Sequence, residues 1–331
     1  MLIHRLYSFI FNKRVLHIFL LVGILLLCSS WGFFGHKRIN RYAVFTLPSN
    51  IMGFYKKHID QITQQAVNPD KRRYTDSTEA VKHYIDIDHY GKTALRDIPQ
   101  KWEDARKKWT ADTLKKYGIL PWHIQHMYQL LVNAFKRKDT TQIIRLSADL
   151  GHYVADAHVP LHTSENYDGQ LTGQKGIHAL WESRLPEMFA ANYSHYVGKA
   201  HYIVNPLVDA WQIVGLSFAS LDTVLRMEKH LSETFSSDEK YAIIKKGKKQ
   251  VKGFSSSYAA AYHQLLNGMV ERKMQSAMLA IGSYWYSAWV DAGQPNLYES
   301  NKKMSAIKQN TLDNEREPLL KMIGRAEGEE D

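Results

Sequence analysis

Apolar side chains recur at helical spacing along most of this chain. Residues 31–60 read as a helix entry followed by an apolar-periodic stretch, and Leu47-Pro48-Ser49-Asn50 predicts a restart, with proline near a first turn and capping residues behind it. Residues 61–100 are less regular. They hold a turn signal at Asn68-Pro69-Asp70, then Val81-Lys82-His83-Tyr84-Ile85-Asp86, which reads as a short strand or an extended segment. Residues 122–159 predict two helical pieces broken near Lys138-Asp139, with Pro160 ending the second just after His158. A polar, glycine-bearing loop runs from Tyr167-Asp168-Gly169 to Lys175-Gly176. Helical periodicity resumes at Ile177, again around 206–235, and in one long helix over 255–290 whose alanines, methionines and aromatics are most simply core. No internal repeat is evident. The pattern predicts an all-α fold, a single mainly helical domain over residues 31–300, and a charged, frayed tail over 301–331.

Composition agrees with a globular domain: 44% hydrophobic and 23% charged residues in a 331-residue chain supply a core of ordinary size. The formal charge of +10 is a weak pointer to an anionic substrate or a membrane surface. The first thirty residues belong to no fold. Arg5, Lys13 and Arg14 precede an apolar run from Val15 to Leu27 and then Cys28-Ser29-Ser30, the three regions of a secretory signal peptide. That run is shorter than the ~20 residues of a membrane-spanning helix. The expectation is an exported protein, periplasmic or secreted. Cys28, the only cysteine, lies in the segment predicted to be lost, so the exported chain would have no disulfide. Bound metal could supply part of the missing cross-linking. The alternatives are an uncleaved membrane anchor and a lipid anchor through Cys28, against which Leu27 argues.

One short stretch collects metal-ligand residue types at helical spacing. His152 and Asp156 are four apart, as are His178 and Glu182, and His162 lies between the pairs behind Pro160. Four-residue spacing stacks two side chains on one helix face, so two such pairs and a third histidine predict a multinuclear metal site. Cleavage after Ser30 would also leave Trp31 as the new N-terminus with His36 five residues on. A free α-amino group titrates near ~8 and ligates metal once deprotonated. The plain alternative is a buried aromatic beside a surface histidine.

These elements resemble, in order, those of the zinc-dependent phospholipase C and S1/P1 nuclease superfamily. The similar segments are Trp31…His36, Asp70…His83-Tyr84-Ile85-Asp86, His152…Asp156…His158-Val159-Pro160-Leu161-His162, and His178…Glu182, spanning about residues 31–190. The resemblance implies a trinuclear zinc site. Asp70, His83, His152 and Asp156 would hold one ion; Trp31 (amine and carbonyl), His36 and a bridging Asp156 a second; His162, His178 and Glu182 a third. Zinc prefers such nitrogen and carboxylate ligands. The implied activity is phosphodiester hydrolysis by in-line attack of a hydroxide bridging two zinc ions ~3.5–4 Å apart, with the third ion stabilising the leaving alkoxide. Asp70 and Asp156 would serve catalysis as well as binding. Arg73 is the candidate clamp for a phosphate oxygen, its alternative being a solvated basic turn in Lys71-Arg72-Arg73.

The remaining candidates are read more plainly. His158, six after His152, points away from the Asp156 face and serves packing or support. Asp86 and Asp88 are read as carboxylates orienting a ligand histidine, while His89, His123 and His126 lack ligand partners. Glu182 and the modest gap from His162 to His178 resemble the phospholipase branch, and the close Trp31–His36 spacing resembles the fungal nuclease branch, which is disulfide-stapled. The substrate expected is a phospholipid headgroup, or alternatively single-stranded nucleic acid, with peripheral contact to a membrane surface and no evident obligate protein partner. A non-catalytic zinc-binding envelope protein is a third class. The repeated E-x-x-H of di-iron bundles and the H-E-x-x-H of zinc peptidases are absent.

Overall fold

The computed structural model describes residues 32–246 and 249–297, so the predicted leader, Trp31 and the charged tail lie outside the described residues. Helix α1, Gly32–Ala43, buries Gly32, Gly35, His36, Ile39, Asn40 and Ala43, a stripe at three- and four-residue intervals. Next come α2, Ser49–Lys57, α3, Ile59–Gln65, and α4, Asn68–Arg72. The restart before α2 lies where Pro48 was expected to set it. Asn68-Pro69-Asp70, read as a turn, instead opens α4, because a proline in the first helical turn forfeits no hydrogen bond.

Residues 81–86 form no strand. Single 3₁₀ turns at Ala80–Lys82 and Ile87–Tyr90 flank an irregular stretch, and its amides pair elsewhere: Ile85 N–H donates to the His162 carbonyl (2.9 Å) and Asp86 N–H to that of Tyr117 (2.8 Å). Helices α5, Leu120–Lys136, and α6, Thr140–Ala157, are broken where expected; Lys138 turns left-handed (φ 53°) and the Asp139 carboxylate caps α6 by accepting from Gln142 N–H. A 3₁₀ turn at Pro160–Thr163 follows α6. Further along, beyond several short turns, come α7, Pro206–Ser232, and an antiparallel hairpin of β1, Tyr241–Lys246, and β2, Lys249–Phe254, which the periodicity reading did not anticipate. The expected single helix over 255–290 is two, α8, Ser256–Leu265, and α9, Met269–Asp291. Asn267 and Gly268 between them are both left-handed (φ 46° and 74°), which no continuous right-handed helix tolerates.

The described residues share one hydrophobic core. Its centre is α6, buried at every position from Ser147 to Ala157, wedged among α1, α5 and α9. Trp285 of α9 stacks on Tyr55 (4.8 Å between ring centroids) and donates its indole N–H to the Ser147 carbonyl (2.9 Å). Close approach of α6 to α1 relies on Gly151, where a Cβ would lie 2.1 Å from Asn40 Oδ1. Asn40 in turn donates its amide to the His36 carbonyl (3.1 Å), so the contact that seats the helices also holds the turn carrying His36. No helix among the described residues is long and apolar enough to cross a membrane.

Candidate metal centre

Six chain segments converge on one buried cluster. His36 comes from α1, Asp70 from α4, His83 from the irregular stretch, His152 and Asp156 from α6, His162 from the turn after Pro160, and His178 and Glu182 from the segment after Gly176. All are buried except His178, whose side chain is 20% exposed. The four-residue logic holds at the second pair although the backbone is a short α turn, Ile177–Ala179, running into a π turn, Leu180–Arg184.

Asp156 lies at the centre. Its Oδ2 faces His83 Nδ1 (2.9 Å) and His152 Nε2 (3.2 Å), while Oδ1 faces His36 Nε2 (3.4 Å) and His162 Nδ1 (3.6 Å). Asp70 Oδ1 stands 3.7 Å from His152 Nε2 and 3.9 Å from His83 Nδ1, and neither of its oxygens makes a hydrogen bond among the described residues. At the other end His162 Nε2 lies 3.2 Å from His178 Nε2 and 3.4 Å from Glu182 Oε2, which also contacts His178. The rings of His36 and His152 stack at 3.8 Å. Ligand atoms in four groups lie within 4.8 Å of one another: His36, Asp70 and His152; His83, His152 and Asp156; His36, Asp156 and Glu182; and His162, His178 and Glu182. These buried groups could hold metal.

Backbone carbonyls fix which nitrogens face inward. A carbonyl only accepts, so His152 Nδ1–H donates to Ala66 (2.9 Å) and His162 Nδ1–H to His83 (2.8 Å). In the neutral rings Nε2 then carries the lone pair, directed at the cluster in both cases, the support a metal-ligating histidine ordinarily receives. A donor set of imidazole nitrogens and carboxylate oxygens, among them a buried Asp70 carboxylate that makes no hydrogen bond among the described residues, fits a zinc-type ion.

Protons occupy this site in the absence of metal. Burial pushes His152 down, but Asp156 and Asp70 outweigh it and hold the ring at about 9. Burial likewise lowers His162, and Glu182 with Asp156 raises it to about 8. Burial would raise both carboxylates; instead His152 and His162 hold Asp156 well below its ordinary range, and His178 and His162 hold Glu182 at about 2. Both raised histidines stabilise the metal-free fold fully below their unfolded value near ~6.5, and that contribution is lost as pH rises through 8 and 9. Metal-free protein is therefore expected to melt at progressively lower temperature between about pH 7 and 9. Metal uptake at pH 7 should release protons. Calorimetry in buffers of differing ionisation enthalpy counts them; uptake with no proton release would contradict this ligand set.

Several neighbours depart from the sequence reading. Asp86 and Asp88 take up no ligand histidine: Asp88 accepts from Ser164 Oγ (2.6 Å) and Glu165 N–H (3.1 Å), while burial, Asp88 and Glu165 push Asp86 up to about 7. The carboxylate beside a candidate ligand histidine is Glu79, unnoticed in the sequence, whose Oε1 stands 3.6 Å from His83 Nε2. It accepts a short hydrogen bond from Tyr153 and pairs with Lys82 (2.7 Å) and Arg72 (3.4 Å). Glu79 and His83 are also four apart, so the spacing rule could have found them had the stretch not been read as strand-like. Arg72 is committed to Glu79, Tyr153 and Asp149, whereas Arg73, 31% exposed, reaches to 3.9 Å from Asp70. His158 donates through Nδ1–H to the Val154 carbonyl (2.8 Å) and lines a groove with Ile213, Leu216 and Lys273 away from the cluster.

No family model and no curated protein matches this chain. A solved structure of Clostridium perfringens alpha-toxin, isolated from an avian strain, is similar over 81% of the chain at 13% sequence identity and a TM-score of 0.46. The chain spans 65% of the length of that toxin chain.

Proposed function

We propose that this protein is an exported zinc-dependent phosphodiester hydrolase of the phospholipase C type. The observation that carries the reading is Asp156, a buried carboxylate whose two oxygens serve two different sets of histidines, as a ligand shared between adjacent ions would. Asp70, His83, His152 and Asp156 would hold one zinc ion, His36 and Asp156 with the amine and carbonyl of Trp31 a second, and His162, His178 and Glu182 a third. Zinc in such a site makes water acidic enough to ionise near neutral pH and offsets charge developing on phosphoryl oxygens.

The chain's own residues supply the rest. Asp70, unengaged by hydrogen bonds among the described residues and 3.9 Å from Arg73, orients the attacking water and receives its proton. The Arg73 guanidinium binds a nonbridging phosphate oxygen. His178 is the exposed edge of the cluster, so substrate enters on that side. Tyr167, half exposed and 6.0 Å from the His178 ring, stands beside this entrance. An exposed tyrosine there would also serve as a platform for an unstacked base, which is what favours the second reading, a single-strand nuclease using the same metal centre.

Turnover of phosphatidylcholine and of single-stranded DNA by zinc-loaded protein, side by side, separates the two. Faster lipid turnover, abolished by a chelator, is expected. Faster DNA turnover would make this a nuclease, and zinc-loaded protein inert on both would favour a non-catalytic metal-binding role.

A further inference from the structure

His83 meets the cluster through the opposite nitrogen from two of its neighbours. His152 and His162 each give Nδ1–H to a backbone carbonyl, which leaves Nε2 facing the other donors. In His83 it is Nδ1 that faces inward, 2.9 Å from Asp156 Oδ2 and 3.0 Å from His152 Nε2. A neutral imidazole has one N–H, so a ring that offers its Nδ1 lone pair to a cation carries its proton on Nε2. In His83 that atom is buried and makes no hydrogen bond among the described residues. The acceptor facing it is Glu79 Oε1, at 3.6 Å. An orphaned buried donor is costly, so the ligating form of His83 needs this carboxylate.

Glu79 is itself held in place. Its Oε2 accepts from Lys82 Nζ (2.7 Å), and its Oε1 accepts a short hydrogen bond from the Tyr153 hydroxyl and a longer one from Arg72 Nη2 (3.4 Å). Arg72 is fixed in turn by Asp149 Oδ1 (3.2 Å) and the Tyr153 oxygen (3.1 Å). Tyr153 follows His152 on α6, and its ring meets the His83 ring edge-on, 5.4 Å between centroids. Glu79 also opens the turn Ala80–Lys82 that leads into His83, four residues on. Its side chain is 1% exposed, so water does not compete for the carboxylate. The acceptor differs in kind from those behind His152 and His162. A hydrogen bond to a carboxylate is roughly twice as strong as one to a neutral carbonyl and makes the imidazole a better ligand.

We propose that Glu79 is a positioning residue of the metal centre: by accepting from Nε2–H it fixes His83 as a ligand through Nδ1. The inference rests on the metal-binding half of the function proposed above and is independent of which phosphodiester is cleaved.

The test compares wild type, Glu79→Gln and Glu79→Ala as full chains. Zinc affinity is read by chelator competition, and the histidine rings by nitrogen-15 NMR of the zinc-loaded protein. In wild type, His83 is expected to show a zinc-bound Nδ1 and a protonated Nε2 whose proton exchanges slowly with water, with the reverse arrangement in His152 and His162. Glu79→Ala should weaken the zinc step that involves His83 by about 10–100-fold and speed exchange of the Nε2 proton. The step assigned to His162, His178 and Glu182 should stay unchanged. Glu79→Gln keeps the volume and one acceptor oxygen, so it should fold, shift the Nε2–H resonance and weaken the same step by less than Glu79→Ala does. An Nε2–H resonance and a zinc affinity both unmoved in Glu79→Gln, or a His83 that ligates through Nε2 in wild type, would overturn the proposal. So would equal weakening of every zinc step together with a lower melting temperature, the signature of a carboxylate that serves only to neutralise Arg72 and Lys82. Wild type that takes up no zinc would overturn it along with the reading it rests on, which separates the two failures.

Discussion

Asp156→Asn is expected to abolish the proposed hydrolysis, lowering turnover on the order of a thousandfold, and to strip metal from both groups that share this residue. Removing a supporting residue around a metal typically costs 10–100-fold in affinity or activity, and Asp156 is more than a support: its carboxylate oxygens stand 2.9–3.6 Å from four different histidines. Asparagine keeps the shape but offers one neutral oxygen and an N–H₂ donor where two anionic acceptors stood. The buried histidines then lose the charge that, with Asp70, holds His152 at about 9 and that adds to Glu182 in holding His162 at about 8, so the metal-free variant should release those protons at lower pH. Glu182→Ala provides the contrast, since it should empty chiefly the His162–His178 group and leave the His83–His152–Asp156 group loaded. Metal analysis of the two purified variants decides the matter. A near-full complement in Asp156→Asn would sink the shared-ligand assignment.

Gly151→Val should cost about 3 kcal/mol or more of stability, at or beyond the upper end of the ~1–3 kcal/mol usual for overpacking, and should weaken metal binding without touching a ligand. The added Cβ would lie 2.1 Å from Asn40 Oδ1, well inside contact distance, and α6 at this level is buried all round, so it cannot roll outward. Relief comes from swinging the buried Asn40 amide aside, which breaks its hydrogen bond to the His36 carbonyl, or from retreat of α1, which carries His36 away from its stack on His152 and its contact with Asp156. Against a typical total stability of 5–15 kcal/mol such a loss is measurable by denaturant unfolding. Unchanged stability together with unchanged zinc affinity would show that the two helices are not held at this distance by Gly151.

The helical architecture was legible because apolar spacing and caps are local. The interruption at Lys138-Asp139 and the restart behind Pro48 follow from residues a few positions apart. The failures share another cause. Asn267-Gly268 is a turn dipeptide set inside an apolar run long enough to mask it, and two left-handed residues divide what the periodicity joined. Residues 81–86 look like a strand because isoleucine and tyrosine suit one, yet their amide partners, the carbonyls of His162 and Tyr117, are supplied by distant segments. The hairpin was missed because its strands are short and a third of their residues are lysines.

The candidate site divides in the same way. Sequence by itself determined which residues have ligand chemistry and which neighbours share a helix face, because nitrogen and oxygen donors are side-chain properties and four-residue spacing is a property of one helix. It could therefore nominate His152 with Asp156 and His178 with Glu182. Only the tertiary structure decided that α1, α4 and the stretch before α5 bring His36, Asp70 and His83 to the same cluster, that the Ala66 and His83 carbonyls turn the imidazoles inward, and that Glu79 rather than Asp86 or Asp88 stands behind a candidate ligand histidine. Those outcomes depend on which helices pack together and how closely. That is set by burial summed over the whole core, with a glycine at position 151 deciding the last ångströms, and no local reading of the chain contains it.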